Sequence, residues 1–290
     1  MRANNLTENN SFRATTMESY HQAVQRAIQV MHKQLDEPLS LHAIARTALV
    51  SPYHFNRVFR RIIGIPPCRF LYALRLEAAK RLLLTTRLSV IEVCYAVGYN
   101  SLGTFTKRFT ELVGVPPTRF RYLAESSMDG KPLWPTRSQE MSEEPISVGL
   151  TGHVDAPRDF QGEIFVGLFN DQIPQGSPVA CTSICKPGQY RISPVPEGTY
   201  YLFTLGIHLS EDPKELFCYE SALRGGGQPI RVTSDAVRGR TDLTLRSPDL
   251  FDPPILLAFP PLLANPEPGK AADIKRASEK PLRGSMFVEQ

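Results

Sequence analysis

The sequence predicts a multidomain protein, in which an all-α domain with two helix-turn-helix units is followed by a mainly-β, sandwich-like domain. A helical pattern occurs twice in the first half of the chain, at an offset of fifty residues. After about residue 145 the apolar spacing changes from helical to strand-like. The balance of basic and acidic residues also differs between the two halves of the chain. Residues 17–125 hold 15 lysines and arginines against 7 acidic residues, and residues 126–290 hold 16 against 21.

These patterns predict five segments. They are a disordered N-terminus (1–16), the helical domain (17–125), a linker (126–145), the β-rich domain (146–263) and a disordered tail (264–290). A chain of 290 residues with 42% hydrophobic residues is long enough for two globular cores. The basic charge of the helical domain is typical of a nucleic-acid-binding module.

The first unit of the helical domain has clear helix boundaries. A first helix is predicted over residues 17–35, where Pro38 stops it, and Ser40 caps a short helix that ends at Ala48. Ser51 caps the next helix, which runs to residue 63 before Gly64. Its buried stripe consists of Phe55, Val58, Phe59 and Ile62.

A connecting helix over residues 67–84 leads to the second unit. Eighteen residues at about 1.5 Å each span roughly 27 Å, which is of the order of one DNA helical turn of about 34 Å. The second unit repeats the first, with helices over 90–97, 101–113 and 117–123. The helices at 52–63 and 102–113 are therefore predicted to enter successive major grooves on one face of a duplex.

The second copy carries a specific motif. It consists of Gly98-Tyr99, Phe105, Lys107, Phe109, Gly114, Pro116-Pro117 and Phe120. Over about 105 residues this stretch resembles the DNA-binding domain of the AraC/XylS family of bacterial transcription regulators. In that family the exposed side chains early in each recognition helix contact base edges or phosphates.

The resemblance implies a set of DNA-binding residues on each recognition helix. In the first they are Ser51, Tyr53, His54, Asn56, Arg57, Arg60 and Arg61; in the second, Ser101, Leu102, Gly103, Thr104, Thr106, Lys107 and Arg108. Arginine and lysine suit guanine, asparagine suits adenine and a threonine methyl suits thymine. Arg60, Arg61 and Arg108 lie farther round and are interpreted as phosphate contacts or as a solvated face. For Arg57 a base contact is favoured over a backbone or structural salt-bridge role.

Eight short apolar or alternating runs predict the β-rich domain. They cover residues 146–154, 163–169, 179–185, 190–195, 199–207, 229–233, 241–245 and 255–259. Three stretches, 162–169, 188–192 and 195–202, resemble the transthyretin-like sandwich of carboxypeptidase regulatory-like domains. The run from Arg224 to Gly227 is predicted to be a flexible hairpin loop rather than an anion-binding nest. A domain of this kind would sense a signal, oligomerise or contact a partner.

The function predicted from these features is sequence-specific DNA-binding transcription regulation. The alternative is a DNA-binding adaptor or architectural protein that recruits a protein partner without small-molecule control. Predicted partners are double-stranded DNA and RNA polymerase; a small-molecule effector at the β-rich domain and a homodimer are left open.

No enzyme, catalytic residue, metal or cofactor is predicted. Cys68, which opens the connecting helix, resembles the nucleophile that some proteins with this type of DNA-binding domain use in DNA repair. Thr118 takes its place in the second copy, which indicates a helix-start residue. The sequence has no secretory signal and no apolar run that could span a bilayer, so no membrane partner is predicted and the expected location is the cytoplasm.

Overall fold

The computed structural model describes residues 4–126, 149–208 and 217–258. Seven helices lie in the first of these ranges: α1 (Asn4–Lys33), α2 (Leu41–Thr47), α3 (Pro52–Ile63), α4 (Pro67–Thr85), α5 (Val90–Ala96), α6 (Leu102–Val113) and α7 (Pro117–Ser126). The predicted tail and all of the predicted linker except Ser126 fall outside the described residues.

Helix α1 begins much earlier than predicted. It starts at Asn4 rather than at Met17, so residues 4–16, predicted to be disordered, are helical. The polar composition of this stretch favoured disorder, but it contains neither proline nor glycine, and nothing in it ends a helix.

The predicted helix ends of both units are confirmed by their capping contacts. The side chain of Ser51 accepts a hydrogen bond from the backbone N–H of His54, and Ser101 accepts one from Thr104. Helices α3 and α6 are the two predicted recognition helices. Gly64 and Gly114 end them with φ angles of 91° and 95°. This left-handed backbone suits glycine, which has no Cβ to clash.

Each recognition helix is held by the same ladder of aromatic rings. In the first unit, Phe59 lies 5.5 Å from Phe55 and 5.6 Å from Phe70 of α4, measured between ring centroids. In the second, Phe109 lies 5.7 Å from both Phe105 and Phe120 of α7. The rings meet in tilted or edge-on geometries, which aromatic pairs favour. Both units therefore support their recognition helices in the same way.

The described part of the β-rich region forms two sheets. Its strands are β1 (Leu150–Asp155), β2 (Gly162–Phe169), β3 (Ala180–Ile184), β4 (Gly188–Ile192), β5 (Gly198–His208), β6 (Leu223–Val232), β7 (Val237–Arg238) and β8 (Leu243–Thr244). One sheet has the order β4-β1-β8 and the other the order β3-β2-β5-β6-β7. The two sheets share one hydrophobic core, to which Val154, Val166 and Leu202 belong.

Two local predictions in this region are wrong. Residues 255–258, predicted as a strand, form no ladder and lie as a buried segment instead, where the N–H of Ala258 donates to the carbonyl of Val113 at the end of α6. The run from Arg224 to Gly227, predicted as a flexible loop, belongs to β6 and pairs with β5 across a register shift. A Cβ at Gly225 would collide with the carbonyl of Thr244, so glycine is needed there for close packing of the chain.

The β-rich region packs against the helices through segments outside its strands, near residues 171–176, 217–220 and 255–258. Lys80 of α4 is only 1% exposed, and its ammonium group donates to the carbonyls of Ile255 (3.1 Å) and Leu257 (3.3 Å). It also lies 4.5 Å from the centroid of the Tyr219 ring. Two ion pairs, Arg69 with Asp171 and Arg81 with Glu220, flank this contact.

Burial of Lys80 predicts a specific dependence of stability on pH. Burial lowers the pKa of Lys80 from 10.5 to about 8. Between pH 8 and pH 10.5, Lys80 is protonated in the unfolded chain but has lost its proton in the folded chain. The contribution of Lys80 to the free energy of unfolding therefore rises with pH across this window, by up to about 3 kcal/mol. We expect the wild type to gain stability over Lys80→Met between pH 8 and about 10, as measured by urea unfolding.

Lys107→Met is the matched control, because the side chain of Lys107 is 77% exposed. This variant should keep the pH dependence of the wild type. Parallel stability curves for the wild type and Lys80→Met would contradict the prediction.

Candidate DNA interface

The outer face of α3 presents the residues predicted for the first recognition helix. Tyr53 is 82% exposed, Arg57, Arg60 and Arg61 are exposed, and Asn56 is half-buried. The inner face, with Phe55, Val58 and Phe59, is buried in the helical core. A polar, basic surface thus starts at the N-terminal end of α3, where backbone N–H groups and the helix dipole also favour phosphate.

His54 and Arg57 are held in place by neighbouring side chains. The His54 ring lies 5.4 Å from the ring of Tyr20 on α1. A guanidinium nitrogen of Arg57 lies 3.3 Å from Nδ1 of His54, a distance that allows donation when the imidazole is neutral. Helix α1 therefore supports the first recognition helix through a contact that the sequence pattern did not reveal.

The outer face of the second recognition helix, α6, carries fewer hydrogen-bonding side chains near its start than that of α3. Ser101, Leu102, Gly103 and Thr104 are exposed at its start, and Thr106 is half-buried. Gly103 has no side chain and Leu102, at 39% exposure, has no hydrogen-bonding group. Lys107 is exposed and lies 4.0 Å from Glu111 one turn further on. The two helices are equivalent in position but unequal in their capacity for hydrogen bonding.

Arg108 differs from the other basic residues of the set. It is half-buried, and its guanidinium group lies over the Tyr72 ring of α4, 4.4 Å from the ring centroid. The offset of fifty residues that relates the two units places Arg108 at the position of Val58, which faces the core. Aligning the two units would therefore have predicted from the sequence that Arg108 points inward. The contact joins α6 to α4, so Arg108 does not lie on a fully solvated face.

The described part of the β-rich region leaves the N-terminal ends of both recognition helices uncovered. It contacts α6 at its C-terminal end, where the N–H of Gly176 donates to the carbonyl of Leu112. It approaches the end of α3 near Gly64, where Gln172 lies close to that glycine. Within the described residues, no hydrogen bond or ion pair joins the predicted DNA-binding residues to the β-rich region.

Metal clusters, disulfides and membrane-spanning helices are not found in the described part of the chain. No group of three or more histidine, cysteine, aspartate or glutamate residues could hold a metal ion there. All five cysteines are free thiols. Among the described helices, none combines the length and the apolar character needed to cross a lipid bilayer.

Comparison with known proteins identifies relatives among transcriptional regulators. Residues 44–122 match a family model described as a helix-turn-helix domain. The HTH-type transcriptional regulator GlxA of Rhizobium meliloti (strain 1021) is 36% identical over 86 residues, which are 30% of this chain and 26% of GlxA. The bifunctional transcriptional activator and DNA repair enzyme AdaA of Bacillus subtilis (strain 168) is 33% identical over 66 residues, 23% of this chain and 31% of AdaA.

A solved transcriptional regulator from Chromobacterium violaceum, described as having an AraC-type DNA-binding domain, is 27% identical. The match covers 35% of this chain and 91% of that one, with a TM-score of 0.34. This chain spans about a quarter of the length of GlxA and of the other first-ranked curated relatives.

Helix α3 exposes more hydrogen-bonding side chains than α6. This difference predicts that sequence changes in the two DNA half-sites weaken binding by unequal amounts. Single-base substitutions in the half-site bound by α3 should cost about 1–3 kcal/mol each, since Tyr53, Asn56 and Arg57 can hydrogen-bond to base edges. Substitutions in the half-site bound by α6 should cost less, because Leu102 and Gly103 cannot. Binding titrations over a complete set of single-base variants measure this, and equal penalties in the two halves would refute it.

Proposed function

We propose that this chain, whose residues 44–122 match a helix-turn-helix domain, is a transcription regulator of the AraC type that binds specific sequences of double-stranded DNA. One observation carries the proposal. Two recognition helices, α3 and α6, each expose an outer face that carries polar and basic side chains, while their opposite faces pack into one shared core. The relatives named above are transcriptional regulators, which supports the same function.

The connecting helix supports binding to two neighbouring major grooves. Helix α4 has nineteen residues and spans roughly 28 Å. Because its ends join the two units, their separation is comparable to one turn of B-DNA, about 34 Å. One chain would then bind an asymmetric site without a partner subunit. Basic residues would supply salt-dependent affinity for the phosphates, and base contacts would add the specificity.

For the β-rich region we propose a β-sandwich that acts as a sensor or an interaction module. The shared core of its two sheets supports the sandwich, and its contacts with α4 and α6 support a role in controlling the helices. The proposed division keeps the helices and this region as two domains joined by the linker. RNA polymerase and a second copy of the chain remain predicted partners.

We also propose that the chain is not an enzyme. AdaA is a DNA repair enzyme as well as an activator. The residue that resembles a repair nucleophile in this chain is Cys68. Cys68 lies in the first turn of α4 and is half-buried. Burial raises the pKa of its thiol, which leaves little of the nucleophilic thiolate at neutral pH.

The proposal predicts a defined binding motif that depends on Arg57 and Lys107. Genomic DNA fragments should be selected with the purified full chain, sequenced, and compared with those selected by an Arg57→Ala/Lys107→Ala double variant. We expect two unlike half-sites about one helical turn apart with the wild type, and loss of this motif with the variant. Loss of Arg57 alone should cost about 1–3 kcal/mol on the selected site.

Arg158→Ala/Arg191→Ala is the control, because it removes two exposed arginines from the β-rich region. This variant should select the wild-type motif. Featureless enrichment with the wild type, or an unchanged motif with the double variant, would refute specific reading through these two residues.

A further inference from the structure

A cavity of about 600 Å³ lies between the two regions of the chain, beside the C-terminal end of the first recognition helix. One side is the outer face of the five-stranded sheet. The other side includes Ile62, Ile63 and Gly64, which form the last turn and the C-cap of α3. Its volume falls in the range of small-molecule sites, about 300–1,000 Å³.

The sheet side of the cavity carries three aromatic side chains. Phe165 and Phe169 lie on β2 and Phe203 lies on β5, and all three line the cavity. Gly167 lies between the two phenylalanines on the same face of β2, and a Cβ there would come within 3.0 Å of the Phe169 ring. The absence of a side chain at Gly167 therefore helps to keep this part of the sheet open.

Of the two arginines in the lining, Arg224 has no carboxylate partner among the described residues. Arg246 is paired with Asp252 through two contacts of 2.6 and 2.8 Å. Arg224 forms no such pair with any carboxylate in the described residues. Its Nη2 donates to the carbonyl of Tyr219 at 2.6 Å, and its Nε is buried without an acceptor there. Arg224 lines the cavity, and a carboxylate is the ligand group that best matches a guanidinium there.

The charged groups around Arg224 leave its positive charge only partly balanced. Glu77 of α4 is the acidic group with the largest influence on it. Burial raises the pKa of the Glu77 carboxyl, and no hydrogen bond or ion pair joins Glu77 to Arg224 in the described residues. Asp252, the next in influence, is already held by Arg246. A carboxylate with an apolar body matches both an unpaired guanidinium and an aromatic wall.

We propose that this cavity binds a small organic anion, with its carboxylate at Arg224 and its apolar part against the phenylalanines of β2 and β5. Such a ligand would contact the last turn of α3. A consequence that rests on the proposed function is that the ligand changes the affinity of the protein for DNA.

Calorimetric titration of the full chain with phenylacetate and with hexanoate tests the site. The wild type should bind at least one of them saturably, and the corresponding amide, phenylacetamide or hexanamide, about tenfold more weakly or not at all. Arg224→Gln should weaken carboxylate binding by about tenfold. Gly167→Val should also weaken it, by filling the apolar side without changing the charge.

Arg238→Gln is the matched control, because Arg238 is an exposed arginine on β7 of the same sheet and does not line the cavity. It should bind as the wild type does. The proposal is overturned if neither carboxylate binds, if the amides bind equally well, or if Arg224→Gln and Gly167→Val both fold and bind as the wild type. These titrations contain no DNA, so their failure leaves the DNA-binding proposal untouched.

The coupling to DNA is tested separately on the selected site. A change of about fivefold in DNA affinity at saturating phenylacetate or hexanoate supports transmission through α3. An unchanged affinity in the presence of a bound carboxylate overturns the coupling.

Discussion

The burial of α4 on several sides is the constraint on which the rest of the structure depends. This helix packs against the aromatic ladder of the first unit through Phe70, and holds the β-rich region through Lys80. Its N-terminal end follows the first recognition helix and its C-terminal end leads into the second unit. A buried helix of nineteen residues acts as a rigid spacer, because bending it would break contacts along its whole length. The positions of both recognition helices therefore follow from how well α4 is packed.

Local signals in the sequence were sufficient for most of the helical region. Serine caps, glycine stops and apolar stripes of period 3.6 act within a few residues, so the bounds of α2, α3 and α6 agree with prediction to within one or two residues. The start of α1 was missed because the polar composition of residues 4–16 predicts disorder, and the absence of proline and glycine does not by itself predict a helix. Of the candidate site, the exposed faces of α3 and α6 were predictable from the stripes. The contact between Tyr20 and His54 was not, since it joins residues far apart in the chain.

The β-rich region was harder to predict because its structure depends on distant contacts. The three glycines after Arg224 are typical of a loop, but pairing with β5 and the close approach of Thr244 place them in a strand. The apolar run at 255–258 has the composition of a strand. Its backbone groups instead bond to the end of α6, to the loop at Pro174 and to Lys80, and not to a neighbouring strand. Neither the register shift nor this docking contact has a signature within a window of ten residues.

The two recognition helices come from a duplication, but their surfaces have diverged. Arg57 and Lys107 keep the same position, whereas Tyr53 corresponds to Gly103, and Val58 to Arg108. A symmetric dimer bound to a palindromic site has a two-fold axis. A single chain with two different helix-turn-helix units does not have one. Its complex with a duplex would therefore have a polarity. Inverting the site within a promoter would turn the whole protein end for end, and the β-rich region would face upstream in one orientation and downstream in the other.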